Sequence, residues 1–595
     1  METVTSAWKE VQSQQLLNES YIEISFAITD PDAIIDATAS DNGALSIADT
    51  ASIVSQDEKS IVPYATLEEN LWLLDGSRRF IPASNQGDNG YIGNLLSDEN
   101  CAFTTNPVID VQFSTNHDVL IPGVTIVWGA AYDEYARAFT VSAYKGTALV
   151  AQKQITDNTS VTSIVQMDIT DYDHIRVEIV KWCLPHHRAR IARLFIGIEK
   201  VYTKSDVLEY QHEQDVDPIG ATAPINKMTF AIDNSDDAYD PNNTSGLSKY
   251  LIERQRIQVK YGLKMNDGSI RYIRGGVFYL SEWEAPQNGI KASFTGRDLL
   301  EFMQKPYVKG LYTASGTSLY DLADSVFNEA SLPLNDDGTK KWVIDNSLKT
   351  ITTVAPLPIS PLSECLQYIA QAGRCVLYSD RSGMLHMEPI SAAKQDYAIT
   401  AFNSFQRPEI SLQKPLGSVD TKVYNYFTGE TGQELFSGQA TVNGTQELTV
   451  TYSQSAINVS ATVTGGTLVS ANYYTNACVL KITAAGSVTI QITGDILKTS
   501  TSDYVLQVDD KGEAQSVNNP LIASSEMAAA VSQWVKAWLS NRRLITIGEW
   551  RADPRLDAAD LIDSQNKFNT DDVRITSVKY TFAGAFRGSG EGRIV

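Results

Sequence analysis

The residues with the most evident chemical capacity are the carboxylates of Asp233-Asn234-Ser235-Asp236-Asp237-Ala238-Tyr239-Asp240-Pro241. Oxygen ligands at this density could hold a hard cation such as calcium. The order is wrong for it, because the alternating Asp-x-Asp-x-Asp-Gly with a distant closing Glu is not met, so the run reads as a turn ending a strand. His186 and His187 suggest a metal site, but adjacent residues of a strand point to opposite faces and no third ligand has suitable spacing. A loop role is expected for both. Cys101, Cys183, Cys365, Cys375 and Cys478 are scattered and lack a CxxC spacing, which suits reduced thiols in a protein assembled in the cytosol. Cys365 and Cys375 could be paired, but fit buried apolar positions better. The 71 acidic residues guarantee chance carboxylate pairs, and none lies beside a pocket signature. No GxSxG elbow, HExxH helix, Walker loop or GxGxxG unit occurs, and no Cys has a His and Asn partner set. Catalytic residues, cofactor-binding residues and metal ligands are therefore expected to be none, and the chain is expected not to be an enzyme and to need no cofactor.

Charge narrows the partners. A formal charge of −23 and a pI near 4.7 are the opposite of what binds nucleic acid by neutralising phosphates. An acidic surface keeps copies soluble. In a ring, carboxylates along a channel would also repel DNA and let it pass. No run of about 18 apolar residues exists, so no membrane span is expected. Met1 leads into Glu2, Lys9 and Glu10 without an apolar stretch, so no signal peptide is expected.

The positioning elements are mostly strands. A chain of 595 residues exceeds one core, and its 43% hydrophobic content supports ordinary packing. Residues 1 to about 18 read as a short polar helix with Trp8, Val11 and Leu16 too sparse to bury much. Strands follow at Tyr21 to Ile28 and around Ala44 to Ile53. From Gly90 to Thr203, strand-like runs at Val108 to Ser114, Gly123 to Trp128, Ala138 to Tyr144, Thr147 to Ile155, Val165 to Ile169 and His174 to Val180 make a self-contained sandwich. Between Leu208 and Leu300, Met228, Phe230 and Ile232 alternate at period two. Further strands follow there, with turns at Asn266-Asp267-Gly268 and Gln287-Asn288-Gly289. Ser315 to Ser318 caps a helix with Leu319, Leu322, Ala323, Val326 and Phe327 on one face. A linker at Asn335-Asp336-Asp337-Gly338 precedes a second helix presenting Leu362, Cys365, Leu366 and Ile369, then a hairpin turning at Asp380 to Gly383. Strands return at 404–427. Residues 429–508 turn Thr-, Ser- and Gly-rich, and a third helix spans Ser524 to Leu539.

Several of these stretches resemble a known family. Asp233-Asn234-Ser235-Asp236, the Tyr239-Asp240-Pro241-Asn242 loop, Tyr250-Leu251-Ile252-Glu253-Arg254, Val277 to Leu280 and Gly296-Arg297-Asp298-Leu299-Leu300 together resemble the first barrel of phage tail hub proteins. These are the trimeric tail-tip or baseplate-hub proteins of Gram-positive phages, prophages and phage-tail-like particles. Pro63 to Ser77 is similar to the segment leading from that barrel into an inserted module; read without the family, it is an amphipathic stretch anchored by Trp72. The helix, helix, hairpin unit is similar to the family's middle domain. Arg551-Ala552-Asp553-Pro554-Arg555-Leu556 with Asp560 resembles its second barrel, where Pro554 stiffens a turn and Asp560 precedes a strand. Separately, Asp171 to Val177 and Lys181 to Gly197 resemble the last strands of galactose-binding-like, discoidin-type jelly rolls, in which the Arg188-Ala189-Arg190-Ile191 strand closes the sandwich beneath an aromatic.

The expected fold is mainly β and multidomain: two hub-type β-barrels, an inserted jelly roll, a small α/β middle domain and an extra Thr/Ser-rich β domain. The expected boundaries are 1–89 for the N-terminal helix and first part of barrel 1, 90–203 for the jelly roll and 204–312 for the rest of barrel 1. They continue as 313–400 for the α/β domain, 401–428 for the first strands of barrel 2, 429–510 for the inserted β domain, and 511–595 for the helix and remainder of barrel 2. The resemblance implies a virion protein at the tail tip or baseplate, assembled in the bacterial cytoplasm. It would form a homotrimeric ring closing the distal end of the tail tube, with tail proteins above and spike, fibre or baseplate proteins below. It further implies a cell-surface glycan as a ligand the jelly roll could take. Because the chain stops after the second barrel, no wall-cleaving extension is expected. The reading from another class is a carbohydrate-binding adhesin or glycan-processing protein acting in host-surface recognition.

Overall fold

The computed structural model describes residues 1–14, 18–55, 61–87, 89–286, 290–332, 335 and 339–595. Leu16, the turn expected at 287–289 and linker residues 336–338 lie outside them. The chain is mainly β, with 50% strand and 12% helix, and has several sheets, each with its own buried face.

Thirteen strands make one continuous sheet. They are β1 (Ser20–Ile28), β2 (Ile198–Thr203), β3 (Val207–Asp215), β4 (Lys227–Asp233), β5 (Arg256–Lys264), β6 (Ile270–Glu284), β7 (Lys291–Arg297), β8 (Lys394–Ile399), β9 (Glu409–Leu412), β10 (Arg543–Arg551), β11 (Leu561–Gln565), β12 (Thr570–Phe582) and β13 (Phe586–Ile594). Their order is β2-β1-β5-β6-β7-β4-β3-β12-β13-β10-β9, with β11 beside β12 and β8 beside β11. The seam between the N-terminal and C-terminal halves is the antiparallel pairing of β3 with β12, from Tyr210 opposite Phe582 to Asp215 opposite Ser577. One core underlies both halves. Ile22, Ile24, Met228, Phe230 and Phe294 belong to the same buried cluster as Ile545, Trp550, Ile575, Tyr580 and Ile594. The helix Ser6–Gln12 packs into it through Trp8 and Val11, which are 2% and 1% exposed. This corrects the expectation that these residues bury little: two apolar side chains on one helical turn suffice when a concave sheet face receives them.

The inserted sandwich stacks a five-stranded sheet (Ala37–Asp41, Val108–His117, Tyr172–Trp182, Ala136–Lys145, Ala148–Ile155) on a three-stranded one (Arg193–Phe195, Ile121–Val127, Thr162–Ile169). Trp128 and Trp182 sit edge to face at its centre, 6.2 Å apart. Its first strand departs from the sequence expectation. Ala37–Asp41 pairs with Val108–His117, and Ala33, Ala39 and Ile53 enter the sandwich core, so only β1 of that region serves the large sheet. The strand expected around Ala44 to Ile53 is a loop ending in the 3₁₀ turn Thr50–Ile53. Asp30, Pro31 and the short helix Pro31–Asp36 explain the switch, since they turn the chain out of β1 before it can continue the ladder. The sandwich leaves after Ile28 and returns at Ile198, which are direct Cα partners. Gly197 makes that return fit. Its φ is +136°, and an added Cβ would lie 2.4 Å from the Ile28 carbonyl oxygen.

The α/β unit packs helices Leu319–Glu329 and Leu362–Gly373 against the strands Trp342–Ile344, Leu385–Glu388 and Val376–Ser379. Ser318 starts the first helix by accepting from the Asp321 N–H at 3.0 Å. Its core reaches back to Val277 and Tyr279 of β6 and to Leu299 and Leu300 in the 3₁₀ turn that follows β7. β8, expected in this unit, instead pairs in parallel with β11.

A second correction concerns Leu416–Thr428, expected as a strand of the second barrel. It pairs with the far end of the long strand Ala477–Gln507 and with Glu513–Val517, and the helix Ser525–Leu539 covers it through Val531 and Val535. The alternation of Val419, Thr421 and Val423 fits any half-buried strand, and only the remote partner decides which sheet receives it. The Thr-rich segment forms its own module, with Gln433–Thr451, Ala456–Thr464 and Thr467–Tyr473 flanking Ala477–Gln507 over Leu435, Val442, Ile482 and Ile490.

Candidate functional site

Two buried polar assemblies and two open sheet edges are the features with functional capacity. The first assembly lies at the seam. β3 contributes Tyr210 and His212, β5 contributes Tyr261, and β12 contributes Tyr580, all at or below 3% exposure. The Tyr210 and Tyr261 hydroxyls are 2.8 Å apart, and His212 Nδ1 lies 2.9 Å from the Tyr261 oxygen. Burial, then the neighbouring charge of Arg381, pushes the His212 pKa down to about 3, so the ring is neutral.

Arg381 comes from the Asp380–Gly383 turn of the α/β hairpin and enters this seam. Its Nε donates to Asp557 Oδ1 at 2.7 Å, and its terminal nitrogens donate to the Arg274 carbonyl at 2.8 Å and the Leu556 carbonyl at 3.2 Å. Burial works against its charge, but Asp557 outweighs that and raises its pKa. Tyr580 donates to the same Leu556 carbonyl at 2.7 Å. One guanidinium thus ties the N-terminal half, the α/β unit and the C-terminal half together. Nearby, Asp298 accepts from the N–H groups of Asn226 (2.9 Å) and Leu300 (3.0 Å), and burial raises its pKa to about 7.

A cleft of about 330 Å³ opens beside this joint, lined by Arg274, Tyr378, Asp380, Glu388, Gln395, Asp557 and Asp560, among others. Its charged groups are largely engaged. Asp380 caps the Ser382 and Met384 N–H groups at 2.8 and 3.0 Å, Tyr378 donates to Glu388 at 2.6 Å, and Asp560 accepts from the Asp557 N–H at 2.8 Å. That arrangement holds elements in place.

The second assembly closes one end of the sandwich. Glu68 takes two hydrogen bonds from Arg190, one of them at 2.9 Å, and a third from the Arg188 backbone N–H at 2.8 Å. Burial would raise the Glu68 pKa, but the Arg190 charge and hydrogen bonds override it and hold the carboxyl below its usual range. Glu134 joins Arg190 at 3.4 Å, Trp182 Nε1 at 2.8 Å and His187 Nδ1 at 2.8 Å. The guanidinium of Arg190 lies 4.2 Å from the Tyr132 ring. The Arg188–Ile191 strand pairs with Tyr91–Leu96 as a separate two-stranded sheet, and Ala189 and Ile191 enter the sandwich core. Glu68 escaped the sequence reading, because nothing local separates it from the adjacent Glu69 as the partner of a distant Arg-x-Arg. Trp72, taken as the anchor of that run, is exposed, and the buried Leu71 and Glu68 anchor it instead.

The other sequence candidates separate. In the Asp233–Asp240 loop, Asp233, Asp236 and Asp240 each accept from an N–H two residues on, at 2.9, 3.2 and 2.8 Å, which is turn chemistry. His186 is exposed at φ 59° and His187 is buried on Glu134, so both occupy a loop and face different surroundings. Cys365 and Cys375 are free and buried, and burial pushes each thiol up to about 12. Among the described residues, no group of three or more His, Cys, Asp or Glu side chains is placed to hold a metal ion. Among those residues, no helix is long and apolar enough to cross a membrane.

Three strands of the large sheet, β2, β8 and β9, pair on one side only among the described strands, β2 and β9 at the two ends of its main run. β9 is exposed along its whole length, with Ile410 and Leu412 at 40% and 70%.

No family model matches the chain, and no curated protein matches it. Similar solved structures include tail proteins. One from Neisseria meningitidis is 10% identical, with a TM-score of 0.37, covering 67% of this chain and 94% of its own. A prophage tail protein from Shewanella oneidensis is 12% identical at a TM-score of 0.38, covering 67% and 95%. A prophage tail protein from Listeria monocytogenes is 9% identical at 0.36, covering 67% and 91%.

Proposed function

We propose that this chain is the structural hub of a bacteriophage tail or phage-tail-like particle. Three copies would form a ring that closes the distal end of the tail tube and joins it to the tip or baseplate. The observation that carries this reading is the seam. β3 and β12 join two half-sheets over one core, so each copy is a single body with two sheet halves, which this reading takes as two quasi-equivalent units. Two units in each of three copies give six positions, the number a sixfold tube presents. The open edges β2 and β9 support a head-to-tail contact between copies, a geometry that closes into a ring. The charge of −23 supports a channel lining that repels DNA phosphates. The inserted sandwich takes the outer position, open to neighbouring tail proteins and to a cell-surface glycan. A glycan array probed with the full chain tests that last assignment, with retention of no glycan counting against it. The role is mechanical, and the polar joints serve rigidity. Electron microscopy of particles with the chain labelled tests the reading as a whole. Density for three copies at the distal tail end supports it, and absence of the label from the tail overturns it.

A further inference from the structure

The joint between β3 and the α/β unit leaves one atom of His212 without a protein partner. The residue is 1% exposed, and its Nδ1 lies against the Tyr261 hydroxyl. Its Nε2 is buried and has no hydrogen-bond partner among the described residues. A buried polar atom left unpaired is unfavourable, and folded proteins usually meet it with a neighbouring group or an ordered water.

A proton count along the neighbouring side chains says what Nε2 carries. Tyr210, Tyr261 and His212 form a chain through contacts of 2.8 and 2.9 Å. If Tyr210 donates to Tyr261 and Tyr261 donates to Nδ1, both hydroxyl protons are used and the neutral ring keeps its proton on Nε2. The reverse direction would strand the Tyr210 proton in the core and leave Nε2 an unmet acceptor. The first arrangement has one unmet group, a buried Nε2–H donor.

Beside the ring lies a cavity of about 10 Å³, bordered among others by His212, Gln214, Asn226, Asp298, Ser379 and Arg381. That volume is about one water-sized sphere, which leaves no room for an organic group or a hydrated ion. The Asp298 carboxyl, 1% exposed, accepts the Leu300 N–H on Oδ1 and the Asn226 N–H on Oδ2, and each oxygen can accept once more. Water alone fits the space and answers both groups. Gln214, Asn226, Ser379 and Arg381 also border the 330 Å³ cleft, which brings solvent to the cavity's edge. We propose that this cavity binds one structural water, which accepts from His212 Nε2–H and donates to the Asp298 carboxyl. It extends the Tyr210–Tyr261–His212 chain to Asp298, the cap of the 3₁₀ turn after β7, so the sheet seam and the base of the α/β unit share one hydrogen-bonded path. The proposal does not depend on the hub reading.

A crystal structure of the full chain, at a resolution that shows ordered solvent, tests it. One water within about 3.2 Å of both His212 Nε2 and an Asp298 oxygen is expected. Nitrogen-15 NMR of the histidine-labelled chain should show the neutral Nε2–H tautomer across the neutral pH range, since burial keeps this ring uncharged. His212→Phe, close in shape but without the donor, should lose the water. Asp298 should then titrate at higher pH, because a hydrogen bond to its ionised form is gone. A dry cavity in the unaltered chain, a Gln214 amide turned onto Nε2, the Nδ1–H tautomer, or a water retained in His212→Phe would each overturn the proposal.

Discussion

Arg381 is the residue on which three parts of the chain converge. Its guanidinium is 5% exposed, so its ion pair with Asp557, itself 24% exposed at the cleft, and its bonds to two carbonyls are largely shielded from water. Arg381→Ala should therefore cost about 3–5 kcal/mol, read as a lowered urea midpoint, and should leave the sandwich core untouched. Asp298 makes a pH prediction of the opposite kind. Burial lifts its folded pKa to about 7 from the usual 3.8, so between those values the folded state holds a proton that the unfolded state has lost. Stability should fall as pH rises through that window, by up to ~1.4 kcal/mol per unit, and Asp298→Asn should flatten the slope in urea titrations at pH 4 to 7. Glu68 acts in the usual carboxylate direction: its folded pKa is depressed, so its contribution is present above its unfolded pKa and fades as pH falls through the folded one. Arg381 was legible only as part of an Asp-Arg-Ser-Gly turn, since nothing local records that its side chain reaches Asp557, 176 positions away.

At the level of elements, both inserted modules leave and re-enter through neighbouring strand partners. Ile28 faces Ile198, and Thr428 faces Leu497. Replacing residues 30–196 by a two-residue Asn-Gly turn should therefore leave the thirteen-stranded sheet folded, because such a turn closes an antiparallel pair directly. Circular dichroism and a cooperative melt of the shortened chain would check this; loss of the fold would mean that the sandwich is integral to the sheet. The same geometry explains what could be read from sequence. Met228, Phe230 and Ile232 gave β4 by period two, and Leu322, Val326 and Phe327 gave a helix, because those patterns are local. The assignment of Ala37–Asp41 and Leu416–Thr428 to sheets was not local. Both are half-buried strands whose partners are chosen by register with distant segments, and no periodicity within five or thirteen residues encodes that choice.

For the molecule as a whole, the seam turns two half-sheets into a single body. Tyr210 to Asp215 and Ser577 to Phe582 lie more than 360 positions apart, and their pairing was out of reach of any pattern in the chain. The Asp553-Pro554-Arg555-Leu556 phrase was a legible trace of it. Leu556 supplies the carbonyl that Arg381 and Tyr580 share, and Asp560 stands immediately before β11. If copies meet through β2 and β9, Leu412→Pro, at an exposed position of the edge strand whose N–H faces away from β10, should weaken assembly while leaving the monomer's melt nearly unchanged. Sedimentation velocity would separate those outcomes. The central claim is that each copy is a two-unit segment of a closed ring of three. Native mass spectrometry of the full chain tests it most directly: a mass of three chains is predicted, lost on disrupting β9, and a persistent monomer at all concentrations, or a closed dimer, would contradict it.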